Sequence, residues 1–308
     1  MHNEFPVSNT SGTRTGHEGA YAPETANLPI ELREAVDVAL RECFDKVYCS
    51  DELLGNRLTQ VRGPLDSLSK RHGLLLEDAI AHAFAAAGDR YEVQTQVALM
   101  VSREAISLVE SNKLDNLDDL NLPVGGTHGK RVVIDILVFD HETGDLHVVS
   151  VKRGGGAQGG QAARNARKDL TAAGLMLRNM MLRKGLPVLA VKKVLIDWYG
   201  RSGIVARKTV TRETVDAYFG LLISNQVEAM SAYMKSGIAA RMEPRLQAAL
   251  GKTNIAVEAE EPLMLASSNA DIANEMTVEA PGPRPSLADC LSVLPLRRQG
   301  RQMRSVEA

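Results

Sequence analysis

Arg131-Val-Val-Ile-Asp-Ile-Leu-Val-Phe-Asp140-His-Glu-Thr-Gly-Asp145-Leu-His-Val-Val-Ser-Val-Lys152-Arg-Gly-Gly-Gly156 places two β-branched apolar runs on either side of a short polar segment. Gly144 can take positive φ in that segment, so the stretch predicts a β-hairpin turning between Asp140 and Asp145. Side chains alternate along a strand, which puts Asp135 on the face of Leu137 and Phe139, and Ser150 and Lys152 on the face of Leu146 and Val148. With Asp140 opposite Asp145, Asp135 falls opposite Ser150 and Lys152 is its diagonal neighbour. A carboxylate and an amine thus meet at the far end of an otherwise apolar hairpin, where charges need a partner or a task. Two readings follow: a buried ion pair on a sheet or charges at the sheet's frayed end, or, with the acidic strand position, the strand ending in a lysine and the basic helix after it, a metal-dependent phosphodiester site.

Upstream, a helix is expected from Asp66 to Ala87, with Leu68, Leu75, Leu76, Ala79, Ile80, Ala83 and Phe84 on its apolar face. Glu77 lies at the boundary of that face, and its neighbour Asp78 points about 100° away. That boundary suits a carboxylate reaching into a cleft, or an ordinary solvated glutamate. His72 and His82 on the same helix read as solvated or core histidines. Tyr91 to Met100 alternates as a first strand, with Gln94 and Gln96 lining its second face. A short helix capped by Ser102 follows, then an acidic and Gly-rich surface loop that includes His128.

Downstream, Gly154 to Gly159 matches G-x-G-x-x-G formally. The preceding strand belongs to a hairpin rather than a βαβ unit, and no acidic residue stands at the expected distance, so a dinucleotide site is disfavoured. Glycines there let backbone approach a phosphate, or let a loop flex. A long helix from Gln161 to Lys184 and a closing strand from Val188 to Tyr199 come next. From Ser150 to Lys208 the chain is strongly basic, with only Asp169 and Asp197 opposing, although the whole chain carries a net charge of −2. Basic charge concentrated around the candidate site is the footprint of a protein that grips a polyphosphate backbone; a solvated basic face is the alternative.

These residues resemble the core of the PD-(D/E)xK nuclease superfamily. Gly73-Leu-Leu-Leu-Glu77 resembles its helix motif, Ile134-Asp135 its Asp strand, Ser150-Val-Lys152-Arg-Gly its final motif, and Val191 to Tyr199 its closing strand. The resemblance spans Ser67 to Gly200. It implies an α/β (α+β), restriction endonuclease-like fold, a mixed central sheet flanked by helices, and Mg²⁺- or Mn²⁺-assisted hydrolysis of DNA. Asp135, Glu77, the Val151 carbonyl and Asp169 are then the metal ligands. Asp135, Lys152, Glu77 and Ser150 form the catalytic set, and Arg153, Gln161, Arg164, Arg167 and Lys168 hold DNA. One position departs from the pattern: Ser150 stands where the family carries its second acid. Either Asp169 on the following helix replaces that acid, or Glu77 suffices, or the site no longer binds metal and the chain is a DNA-binding or assembly protein. A nucleotide-binding protein built on the Gly-rich loop is a third reading.

Across the chain, residues 1–27 read as a disordered arm, 28–66 as an N-terminal helical region, 67–200 as the nuclease-like core, 201–250 as a C-terminal helical region and 251–308 as a disordered tail. Within 28–66, one helix begins near Pro29 and carries Leu32, Val36, Leu40, Phe44 and Val47, and another runs from Asp51 and stops before Pro64. Thr211 to Leu250 is helical, with Met242-Glu-Pro244 interrupting it. It either packs on the core or forms a homodimer surface. Hydrophobic residues make up 44% of the chain and aromatics 4%, so its core is built from Ala, Val, Leu, Ile and Met. Cys43, Cys49 and Cys290 are too few for a disulfide framework, which fits a reducing cytoplasm, here a bacterial one. No apolar run approaches the roughly 20 residues of a membrane span, and the N-terminus lacks the order of a secretory signal. The basic stretch Leu296 to Arg304 is a candidate for nucleic-acid binding or for a C-terminal export signal.

Overall fold

The computed structural model describes residues 28–156, 160–203, 209–251 and 286–291, with side chains of the fourth helix from Arg164 onward. The expected N-terminal arm, most of the expected tail with its basic end, Arg207, Lys208 and the Gln161 side chain lie outside these residues. The elements run α1 (Ile30–Phe44), α2 (Gly55–Ala85), β1 (Tyr91–Ser102), α3 (Arg103–Ser111), β2 (His128–Asp140), β3 (Asp145–Lys152), α4 (Gly160–Arg183), β4 (Ala190–Asp197), β5 (Thr209–Val210), α5 (Val215–Phe219), α6 (Ile223–Ala249) and α7 (Leu287–Leu291).

The hairpin is set by its turn. Asp140 pairs with Asp145, and the ladder runs back to Ile136 opposite Val149. Gly144 takes φ 70°, and its amide donates to the Asp140 carbonyl at 2.8 Å. Asp140 Oδ1 accepts from the Glu142 and Thr143 amides at 2.9 and 3.4 Å, while Arg90 holds Oδ2 at 3.0 Å. One buried carboxylate therefore ties the turn to the segment that enters β1.

Five strands form one mixed sheet in the order β1-β2-β3-β4-β5. β1, β2 and β3 are antiparallel neighbours, whereas β3–β4 and β4–β5 are parallel. A parallel neighbour cannot be reached by a tight turn, and α4 supplies the crossover from β3 to β4. Helices cover both faces. On one, α2 packs on the sheet, and α1 and α6 join it in one apolar cluster with Ile136, Val138, Val149, Val151, Val194 and Ile196. On the other, α3, α4 and α7 pack on Leu137, Phe139, Leu146 and Val148. The architecture is mixed α/β. No described helix is long and apolar enough to cross a membrane.

Several elements differ from expectation. The two helices expected on either side of Pro64 are one helix, α2, with Pro64 inside it. Proline has no N–H for the carbonyl four residues earlier. That carbonyl, on Gln60, accepts instead from Arg245 Nη1 at 3.1 Å, and the Arg245 guanidinium also donates to the Phe44 carbonyl. α6 likewise runs through Pro244, so Met242-Glu-Pro244 does not interrupt it. The expected helix from Thr211 is broken instead at Gly220, φ 65°, separating α5 from α6. Val47 is 83% exposed and lies beyond the apolar face of α1. The expected structureless tail contributes α7, whose Leu287 and Cys290 are buried against the α4 layer.

β1 and β2 also roll over midway. Tyr91, Val93, Ile136 and Val138 pack with α2, but Val97, Leu99, Val132 and Ile134 pack in the α4 layer. Residues of one parity thus change layers along both strands. The change falls at Gln96, the only non-glycine among the described residues with positive φ, 54°. Gln94 and Gln96 therefore do not line one continuous face. The register sets Gln96 across from Asp135, between the pairs Thr95–Ile136 and Val97–Ile134.

Candidate active site

The site lies where β2 and β3 part. Their ladder ends at Ile136–Val149, and one residue further the Asp135 side chain takes over. Its Oδ2 accepts from the Val151 amide at 2.7 Å, from Ser150 Oγ at 2.9 Å and from Lys152 Nζ at 3.5 Å. A carboxylate with a backbone donor, a hydroxyl and an ammonium around one oxygen is fixed in place. Asp135 and Lys152 expose only 17% and 24% of their side chains, so this ion pair is partly desolvated.

Glu77 enters from α2. Gln96 Nε2 donates to its Oε2 at 2.5 Å. Left-handed backbone is costly for a residue with a long side chain and marks a constrained position. Here it accompanies the roll of the β1–β2 ribbon and sends Gln96 toward Glu77. Burial, followed by the negative charge of Asp135, pushes the Glu77 carboxyl up to about 8; the Lys152 charge and the Gln96 bond pull the other way. At neutral pH Glu77 holds a proton while Asp135 faces a cation.

The structure thus brings Asp135, Ser150, Lys152 and Glu77 together. Val151, expected to offer its carbonyl to a metal, is joined to Asp135 through its amide. Asp169, the acid expected to replace the one missing at Ser150, is paired with Lys130, whose Nζ donates to both its oxygens at 2.7 Å. Arg153 follows Lys152 into the same end of the sheet. Arg164 is exposed and Lys168 half-buried, while Arg167 pairs with Asp115 at 3.6 Å.

The basic stretch does not survive as one free surface. Lys192 pairs with Asp145, and Lys193 Nζ donates to the Leu117 and Asp118 carbonyls at 2.9 and 2.8 Å. Arg178 binds the Leu189 carbonyl, and Lys184 that of Cys290. Sequence order could not show this, because all of these partners but Leu189 come from other segments. His72, in sequence an ordinary solvated or core histidine, is buried and accepts a hydrogen bond from Arg153. Its position little more than one turn before Glu77 is the only signal that sequence offers.

Among the described residues no group of three or more His, Cys, Asp and Glu side chains could hold a metal ion. Mg²⁺ is commonly held by one or two carboxylates with waters completing the octahedron. Asp135 and Glu77 are two acids at one site, and the Glu77 carboxyl is raised first by burial and then by the charge of Asp135. Two acids are the donors that this end of the sheet offers to a hard divalent cation. No family model, no curated protein and no solved structure matches this chain.

Proposed function

We propose that this chain is a divalent-metal-dependent phosphodiester hydrolase acting on DNA, of the PD-(D/E)xK kind. The observation that carries the reading is the convergence of Asp135, Lys152 and Glu77 from two strands and a helix at one end of the sheet. The order of a Glu-bearing helix, an antiparallel ribbon, a hairpin, a crossover helix and a parallel strand supports it.

Asp135 and Glu77 would hold the cation, which when bound polarises a phosphoryl oxygen and lowers the pKa of a coordinated water. Asp135 is kept in position by the Val151 amide and the Ser150 hydroxyl. Lys152 carries a compact charge with three donors. Leaning on Asp135, it keeps donors free to orient an attacking water and to meet charge growing on the phosphoryl oxygens. Glu77 would hold the cation as the carboxylate, so its raised pKa would couple binding to proton release. Ser150 gives the site one negative charge fewer than an acid would.

That last observation favours a second reading, a nuclease fold that binds DNA without cutting it. Incubating the protein with single- and double-stranded circular DNA and Mg²⁺ or Mn²⁺ separates the two. The first reading expects cleavage, lost in Asp135→Asn and Lys152→Met. Salt-dependent DNA binding with no cleavage, and a gain of cleavage in Ser150→Glu, would identify the second. Neither cleavage nor binding under any salt sinks both.

A further inference from the structure

We propose that Arg153 is a preformed phosphate receptor beside Lys152, and that His72 is the positioning residue that aims it. Arg153 Nε donates to His72 Nδ1 at 3.1 Å. Nδ1 must then carry the lone pair, which places the ring proton on Nε2, 3.3 Å from Ser231 Oγ on α6. The Tyr199 ring lies nearly parallel to His72, at 13° with centroids 6.2 Å apart. Arg153 Cζ sits over the same tyrosine ring, 5.7 Å from its centroid. The Tyr199 amide closes the arrangement by donating to the Arg153 carbonyl at 3.1 Å.

Every one of these contacts is neutral. No described carboxylate lies within ion-pair distance of Arg153, whereas Arg90, the other arginine over a tyrosine ring, has two. Arg153 is half-buried and tethered through Nε against a ring, and among the described residues no hydrogen bond or ion pair takes up its Nη edge. A planar fork held in that way matches two oxygens of a phosphate. Burial, and then the charge of Arg153 itself, pushes His72 down to about 4, so the acceptor persists at neutral pH. The pocket joins α6 to the site through Ser231, giving the C-terminal helical region a part in substrate binding.

The identity of the phosphate as part of DNA rests on the proposed nuclease reading; the receptor itself does not. The test is anisotropy of a dye-labelled short DNA duplex in EDTA over a range of NaCl, with 5′-hydroxyl and 5′-phosphate versions. Each phosphate contact contributes about 0.9 to the slope of log affinity against log salt. Arg153→Gln is expected to lower that slope by about one. His72→Phe keeps a ring against Tyr199 but removes the acceptor, and is expected to lower it equally. His72→Asn, which returns an acceptor near the Nδ1 position, is expected to restore it. Loss confined to the 5′-phosphate duplex assigns a terminal phosphate, and equal loss on both assigns an internal one. An unchanged slope in Arg153→Gln, with wild type still binding, overturns the receptor and leaves the nuclease reading standing. A drop in Arg153→Gln but not in His72→Phe overturns the role of His72. Wild type that binds neither duplex at any salt removes the reading on which the DNA assignment rests.

Discussion

Replacing Glu77 by Gln is expected to stabilise the metal-free protein while impairing its chemistry. Burial and the neighbouring Asp135 raise the Glu77 carboxyl from 4.5 to about 8. The folded state therefore holds this proton more tightly than the unfolded chain does. The stability associated with the neutral acid is fully present below the unfolded value, 4.5, and is lost as pH rises toward about 8. At about 1.36 kcal/mol per pKa unit the full span sets a ceiling of about 5 kcal/mol. Partial exposure and solvent screening reduce that to roughly 2 to 3 kcal/mol. The amide introduced by Glu77→Gln does not ionise, so the variant carries no such penalty, and the amide oxygen still accepts from Gln96. Denaturant titrations of both proteins in EDTA should give matching stabilities near pH 4.5, a gap that widens with pH, and a plateau above pH 8. Titrating groups remote from Glu77 cancel in the difference. If Mg²⁺ binds the folded state through Glu77 as proposed, saturating Mg²⁺ should narrow the gap by raising wild type alone. A gap that does not change with pH, or a wild type more stable than the variant on the plateau, would refute the argument.

Asp135→Asn is expected to lower cleavage by at least about 100-fold and to cost about 1–3 kcal/mol in denaturant, because donors now meeting a carboxylate oxygen would compete for a neutral one. At Gln96, φ 54°, a β-branched residue is badly accommodated: Gln96→Val should cost about 2 kcal/mol, while Gln96→Gly should stay within about 1 kcal/mol of wild type and still lose activity. Equal costs for the two would contradict a strained backbone there. Gly154→Ala should destabilise by about 3 kcal/mol or more. Gly154 has φ +66°, and a Cβ there would overlap Asp197 Oδ1, which cannot retreat because Oδ2 is bound by the Ser202 amide at 3.0 Å. An unchanged melting temperature would show that this loop is not held as described.

The parts of the molecule that were legible in the sequence are those with local causes. The hairpin register follows from Gly144 and the Asp140 turn, and α3 from its Ser102 cap, whose Oγ accepts from the Ala105 amide at 3.2 Å. Asp135, Ser150 and Lys152 meet because strand alternation and that register leave them no other arrangement. What escaped has distant causes. Pro64 reads as a helix stop until Arg245, 185 residues from the orphaned carbonyl, takes it. Strict alternation in β1 assigns Val93 and Val97 to one face, and nothing about a glutamine announces the left-handed turn at Gln96 that separates them. His72 looks ordinary because Arg153 is 81 residues away. The basic stretch after Ser150 overstates the free charge, since Asp115, Asp118 and Asp145 neutralise part of it from elsewhere in the chain.

The central claim is that Lys152, beside Asp135, acts on a phosphodiester in the transition state. Single-turnover cleavage of end-labelled DNA, with protein in excess and Mg²⁺ or Mn²⁺ present, measures that step separately from binding. Lys152→Met is expected to slow it by about 100-fold or more while shifting DNA affinity by no more than the loss of one charge requires. Equal rates for the variant and wild type would contradict the account, because the bond would then be breaking somewhere other than at this site.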